Sequence, residues 1–513
     1  MANEASKNRR IAKNAALLYF RMLLLIAVNL YTSRVILAAL GVDDYAVYTT
    51  VGGLVTLFAV LSGTLSAAIS RFIVYELGKN NGERLQHIFS TSLIIQMAMV
   101  VVAVLVGETL GLWYVNSVMQ CPPERLAAAN WCFQFSLLSF CVNLLSIPYN
   151  AEIIAHERMS AFAYISIIEA LGNLGIAFMV SFTHSDRLVL YAVLMFFLAL
   201  VVRLCYTFYC NRHFKECHFR WHLDLPLLKE MMAFAGWNLI GAAAGVIREQ
   251  GGLLLVNALA SLVVNAAMGL SMKVSAVATK FVQNIMVALN PQITKSYADG
   301  NHSYMFNLAF QGARISFYVL LCLALPIIFN TQPLLDIWLH DVPAHTANFV
   351  RLILVLMLSE SLSLPLITIM LATGNIRNYQ LIVGGLQLLN IPISYLCLSL
   401  GAIPESVTLV AIVLSQCSLV ARLILLRRMV ALDIRSYFHK VYLNVILVTL
   451  VASTITWAVN SLMAYGYLRL LVMSPVILAI VLATEFYVGC TSSERAMVLQ
   501  KVRAFSERRT KHG

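Results

Sequence analysis

The stretch GVIREQGGLLLVNAL, Gly245 to Leu259, places Arg248, Glu249 and Gln250 side by side within a run otherwise suited to lipid. A guanidinium offers a two-pronged donor that matches phosphate or carboxylate oxygens. Gly241, Ala244, Gly245 and Gly252 lie at three- and four-residue steps around it, leaving room for a close helix neighbour or a bound anion. Further along, Lys273 and Lys280 are seven residues apart. That is nearly two helical turns, about 10 Å, so both emerge on one face as a cationic stripe. The chemistry these groups suit is the holding of an anion, with Glu249 and Gln250 orienting the arginine or meeting sugar hydroxyls.

Each of these residues has a plainer reading as well. Arg248 could pair with Glu249, or with Glu360 on another span, and lock helices together. The two lysines could snorkel toward headgroups. Arg21 and Arg34, in the first span, lie about 220° apart around an ideal helix, so one of them is structural or interfacial unless the helix kinks. Glu360, in SESLSLP beside Pro365, could take a proton or sodium ion or pair with a basic residue. Ionisable groups within spans cost about 2.5–3.5 kcal/mol each on insertion scales, so they usually face protein or water.

Enzyme machinery is not expected. Nothing matches a Walker loop, an H-E-x-x-H helix or a nucleophile elbow. Cys210, His213, Cys217, His218 and His222 form a cluster, but Cys-x2-His-x3-Cys is not a standard structural zinc spacing, so no metal is expected there. No cofactor is expected either, apart from a coupling sodium ion or proton.

The elements that must position these residues follow from composition. The chain has 513 residues, 60% hydrophobic and 12% charged, with a mean hydropathy of +0.80. Such values exclude an ordinary soluble domain. The fold expected is an all-α polytopic membrane protein with about fourteen spans of roughly 20 or more apolar residues. They run approximately over 14–40, 46–74, 89–115, 126–149, 161–183, 187–211, 234–259, 266–290, 305–330, 347–374, 378–400, 405–427, 440–463 and 467–490. With MANEASKNRRIAK inside, roughly 23 of the 36 Lys and Arg fall in inside segments and about two, Arg125 and Arg187, in outside ones. Both termini are therefore expected in the cytoplasm, and the net charge of +12 reflects membrane orientation rather than nucleic-acid binding. The first span is too long for a signal-peptide core and is expected to stay as an anchor. The ten cysteines are mostly isolated within spans, so disulfides are not expected to hold the fold.

The expected domains are an N-lobe of spans one to six over 1–211, a cytoplasmic linker at 212–233, a C-lobe of spans seven to twelve over 234–428, spans thirteen and fourteen over 429–490, and a basic cytoplasmic tail at 491–513. Val498, Val502 and Phe505 give the tail an apolar face that suits the inner leaflet; a disordered basic tail is the other reading. Shifted by 220 positions, ILAALGVDDYAVYTTVGGLV lies over VNALASLVVNAAMGLSMKVS and SRFIVYELGKNN over NPQITKSYADGN. Because six is even, two such copies share one orientation, a parallel-repeat plan used by transporters. Interior Pro326, Pro365, Pro392 and Pro475 allow helices to bend.

NLYTSRVILAALGVDDYAVYTTVGG, PYNAEIIAHERMSAFAYISIIEALGNL, NPQITKSYADGN and ATGNIRNYQLIVGGLQLLN resemble the oligosaccharide flippases of bacterial surface polysaccharide pathways, the lipopolysaccharide and O-antigen biosynthesis type. These are a branch of the multidrug/oligosaccharidyl-lipid/polysaccharide (MOP) exporter superfamily, and the resemblance runs from the first span through the eleventh. It implies a MATE-like V of two pseudo-symmetric six-helix lobes plus two carboxy-terminal helices in the bacterial cytoplasmic (inner) membrane. It implies movement of undecaprenyl-pyrophosphate-linked oligosaccharide from inner to outer leaflet through a cationic central cavity. By span position Arg21, Arg248, Lys273 and Lys280 are the residues expected to meet the pyrophosphate; Arg71, near the inner end of the second span, departs from a deep contact. Lipid-linked glycan, membrane lipids and polysaccharide polymerase machinery are the expected partners. An ion-coupled organic-cation antiporter of the same superfamily would favour a carboxylate in the first span, which instead offers Arg21 and Arg34. A peptidoglycan lipid-precursor flippase would use the same physics, and a polysaccharide polymerase or ligase would need a large outside loop.

Overall fold

A computed structural model of the chain describes residues 2–496 except 57–58, 80–81, 118, 120–121, 184–185, 222–223, 261, 339–341, 462, 464–465 and 493. The tail residues Val498, Val502 and Phe505 lie outside the described residues, as does His222. The described elements are helices. In chain order they are α1 (Ala2–Thr56), α2 (Ala59–Gly78), α3 (Gly82–Ser117), α4 (Pro123–Ala155), α5 (Met159–Ser181), α6 (Arg187–His213), α7 (Leu225–Leu259), α8 (Leu262–Ala298), α9 (His302–Phe329) and α10 (Thr331–Trp338). They continue as α11 (Thr346–Ser361), α12 (Leu364–Thr373), α13 (Arg377–Ser399), α14 (Ser406–Val430), α15 (Ile434–Asn460) and α16 (Tyr467–Gly489).

Among the described residues eleven helices are long and apolar enough to cross a membrane, or twelve if α11 and α12, bent by 40° at their break, form one span. The fourteen expected are not reached by this measure. The shortfall falls on α2 and α8, which stand in the places of the second and eighth expected spans and adjoin residues 57–58 and 261, outside the described ones.

The repeat is visible in the element boundaries. α1 departs from helical geometry at Gly41 (φ 79°), and 220 positions on lies the break between α7 and α8. α2 ends at Gly78 and α8 at Ala298, again 220 apart. A residue with positive φ is strained for anything but glycine, which explains why the first turn carries Gly41.

The chain forms two compact units, one of Met1–Ala242, Val287–Asn301 and Leu371–Arg377, the other of Ala243–Met286, His302–Met370 and Asn378–Gly513. In the first, α4 packs along α6 and α1 along α5. Phe89, Tyr149, Ile153, Val202 and Tyr206 form one buried cluster there, and Val51, Cys132, Phe133, Leu137 and Leu188 another. Asp186 caps α6, accepting hydrogen bonds from the amides of Leu188 and Val189. Arg125 then joins that cap to α1, bonding both Asp186 and Asp44. The segment Val287–Asn301 belongs to this unit because Lys295 reaches Glu157 at 3.2 Å and Gln292 reaches it at 2.6 Å.

In the second unit α9 packs on α11 and α16, and α11 packs on α14. The fully buried Tyr437 donates its hydroxyl to the Leu362 carbonyl at 2.9 Å, a free acceptor because the helix breaks there. Of these four prolines, Pro365 stands just after the break between α11 and α12 and Pro392 follows a one-residue turn at Leu389 within α13, whereas Pro326 and Pro475 lie inside continuous helices.

Candidate functional site

The small residues of α7 serve helix packing and leave a polar recess beside it. A Cβ on Gly251 would lie 2.5 Å from the Ile391 side chain of α13, and one on Gly252 would press on Val407 and Met268. Of the small residues singled out around Arg248, Gly252 thus has a close helix neighbour, while a Cβ on Gly245 would meet only Gln387 Oε1 at 3.5 Å. On the same helix Arg248 reaches across to α11, its Nη1 2.6 Å from Glu360 Oε1, with both side chains partly exposed. The pair opens into a cavity of about 160 Å³ lined also by Ser363, Gln387, Ser415, Ser418 and Arg422. Arg248 is thus paired internally with Glu360 and also lines this cavity. Glu249 and Gln250 are exposed and make no hydrogen bond to Arg248 among the described contacts.

Lys273 and Lys280 share one exposed face of α8. Ser275 and Thr279, about 130° round the helix, contact the Met357 sulfur on α11 at 3.2 and 3.4 Å. The lysines accordingly point away from the Arg248–Glu360 pair, and neither is in an ion pair among the described residues.

Arg21 and Arg34 lie in the first unit. The Arg21 guanidinium sits 4.2 Å above the Phe162 ring, a cation–π contact with α5, while Arg34 is exposed. Two other membrane cations are committed to the fold. Arg71 donates to the Ala372 carbonyl at 3.2 Å and lies against Phe72, Tyr75 and Phe234. Arg314 pairs with Glu494 and the Gly489 carbonyl.

Sequence reasoning did not single out Glu169 or Arg422 as site residues. Glu169 lines a cavity of about 210 Å³ with Tyr48, Ser136, Ser139, Asn143 and Asn173, an oxygen-rich surround. Arg422 bonds Ser363 at 3.0 Å on α14's buried face. Each is an ionisable residue well inside a span, which was the available signal; only the tertiary fold gathers the serines and asparagines around them.

Among the described residues, Cys210, His213, Cys217 and His218 do not converge as one ligand set. Cys210 and Cys217 are buried together, while His213 and His218 turn to the carbonyls of Tyr209 and Lys215. A different group comes together nearby: Glu152, His156 and Glu216, with ligand atoms within 4.8 Å of one another. Burial works to raise the Glu216 carboxyl, but the hydrogen bond with His156 at 2.6 Å, a backbone hydrogen bond and the attraction of the His156 ring together hold it below the usual range.

No protein-family model matches the sequence. No curated protein is similar to it either. Solved structures are similar in fold. A MATE structure in the straight conformation aligns with a TM-score of 0.72 at 12% identity, covering 83% of this chain and 96% of that one. The Vibrio cholerae MATE transporter VcmN gives 0.70 at 15% identity, with 83% and 99% covered. A MOP-superfamily transporter from Pyrococcus furiosus, described as having a binding pocket of reverse polarity that suggests a different function, gives 0.67 at 11%, with 82% and 95% covered. Over more than four-fifths of its length, then, this all-helical chain has the fold of MATE and other MOP-superfamily transporter structures.

Proposed function

We propose that the protein is a flippase of the bacterial cytoplasmic membrane, moving undecaprenyl-pyrophosphate-linked oligosaccharide from inner to outer leaflet by alternating access, for O-antigen or capsule synthesis. The observation that carries this reading is a cationic stripe: Lys273 and Lys280 share an exposed face of α8 and neither is in an ion pair among the described residues, while Arg21 stacks over the Phe162 ring with the Glu169 carboxylate near enough to act on its charge. A diphosphate cannot cross hydrocarbon unaided, and fixed positive charge both attracts it and replaces its hydration. Arg248, held by Glu360, is a cation that an incoming phosphate can recruit by displacing the carboxylate. The Pyrococcus structure supports the principle that pocket polarity varies within this fold. Energy comes from a coupling sodium ion or proton, or from the membrane potential.

A second reading, an ion-coupled organic-cation antiporter, is favoured by the Glu169 cavity, whose carboxylate and surrounding oxygens suit a cation. Proteoliposome transport separates the two. Wild type is expected to translocate a fluorescent undecaprenyl-pyrophosphate glycan, and an Arg248→Ala, Lys273→Ala variant of equal folding and insertion to lose at least tenfold in rate. Export of an organic cation by wild type, with no glycan translocation and with loss on Glu169→Gln, would establish the antiporter instead.

A further inference from the structure

The cavity beside α7 contains a charge that its lining does not balance. Three ionised groups face it: Arg248, Glu360 and Arg422. Glu360 is engaged with Arg248, so the two cancel. Arg422 is only 6% exposed, its one described hydrogen bond goes to a neutral hydroxyl, Ser363 Oγ, and its guanidinium carbon lies 5.9 Å from the Tyr379 ring centroid, a distant cation–π contact that leaves the charge without a counter-ion. It has no acid within ion-pair distance among the described residues. Its Nε is buried without a partner. Ser418, 2% exposed and lining the same cavity, likewise has an unpartnered hydroxyl. Ser415 is already bonded to Ser359.

An arginine cannot escape this situation by losing its proton, because a guanidinium is not deprotonated in proteins. Water could satisfy the spare donors but not the charge, and an uncompensated buried ion costs several kcal/mol. A small anion satisfies all of these at once. We propose that this cavity is a binding site for a small inorganic anion of the chloride or phosphate class, held by Arg422 with Ser418. At about 160 Å³ it suits a monatomic or tetrahedral ion.

Its place in the fold gives the ion a mechanical role. Ser363 lies in the break between α11 and α12, where the chain bends by 40°. Arg422 holds that break from α14, while Arg248 holds Glu360, three residues earlier, from α7. An anion on Arg422 therefore stiffens one side of a bend whose other side is held by the ion pair.

The test uses the full chain in nanodiscs and needs no transport, so its result is separate from that of the flippase reading. Thermal unfolding is followed while sodium gluconate is replaced by chloride, bromide or phosphate at constant pH and ionic strength. Chloride-35 NMR line broadening reports binding directly. A saturable rise in melting temperature with chloride or phosphate, together with line broadening in chloride, is expected for wild type; phosphate alone would identify an oxyanion site. Arg422→Gln should abolish the saturable part, and Ser418→Ala should raise the midpoint several-fold. Should Arg422→Gln fail to fold, Arg422→Lys keeps the charge but loses the fork and should bind several-fold more weakly. Identical melting of wild type in all salts, or an unchanged anion response in the Arg422 variants, overturns the proposal.

Discussion

A basic side chain inside a membrane protein is tolerated when a ring, a carbonyl or a carboxylate replaces its water, and this chain uses all three. Arg21 takes Phe162, Arg71 takes the Ala372 carbonyl, and Arg248 takes Glu360. The Arg71 contact depends on a glycine. Gly374 has φ +78°, and a Cβ there would stand 2.5 Å from Arg71 Nη2. Gly374→Ala is expected to cost about 1–3 kcal/mol through strain and displacement of the guanidinium, read as a lower melting temperature in nanodiscs. Glu405 supplies a pH effect. Burial works to raise its carboxyl, yet the bonds from Asn348 and His345, at 3.0 and 2.7 Å, overcome this and hold it below the ordinary 4.5. A depressed acid stabilises the fold above its unfolded value and loses that contribution as pH falls through its folded value. Glu405→Gln should therefore melt below wild type at neutral pH, and the gap should close as pH falls below 4.5.

At the scale of elements, the turn between α4 and α5 is where a helix end from the second half of the chain is fastened. Glu157, buried and at φ 57°, receives Gln292 and Lys295 of α8, while Lys295 also bonds the Ala155 carbonyl. Removing one partner of such a pair leaves a carboxylate buried without its cation, which costs more than the pair contributes. Lys295→Met is accordingly expected to destabilise by about 3 kcal/mol, with much of this recovered in the Glu157→Gln, Lys295→Met double variant, in a thermal double-mutant cycle. The sequence repeat foretold that α8 would end where α2 ends, at Ala298 and Gly78. It did not foretell this fastening, because Glu157 and Lys295 lie 138 residues apart and read separately as loop and helix-end charges.

At the scale of the molecule, orientation is set by the distribution of Lys and Arg. In a variant with its cysteines replaced by serine, a single cysteine at Thr183 should react with a membrane-impermeant maleimide in intact cells and one at Asn301 should not. Reaction at Asn301 alone would invert the topology. Composition by itself determined that the chain is a bundle of membrane helices, because a mean hydropathy of +0.80 over 513 residues leaves no other place for it. Periodicity and the 220-residue shift located the helix pair at each copy's start, since helix ends depend on local residues such as Gly41. Sequence also marked Arg21, Arg248, Lys273, Lys280 and Glu360 as out of place in lipid, since charge in hydrocarbon is costly wherever the helix points. Which way each points was decided only by tertiary packing. Glu360 meets Arg248 because α7 and α11 pack together, Lys273 and Lys280 stay exposed because Ser275 and Thr279 take the contact with Met357, and Arg422 becomes a buried charge because α14 closes over the bend at Ser363. Those outcomes depend on which helix faces meet across more than fifty residues of chain, and no local pattern specifies that.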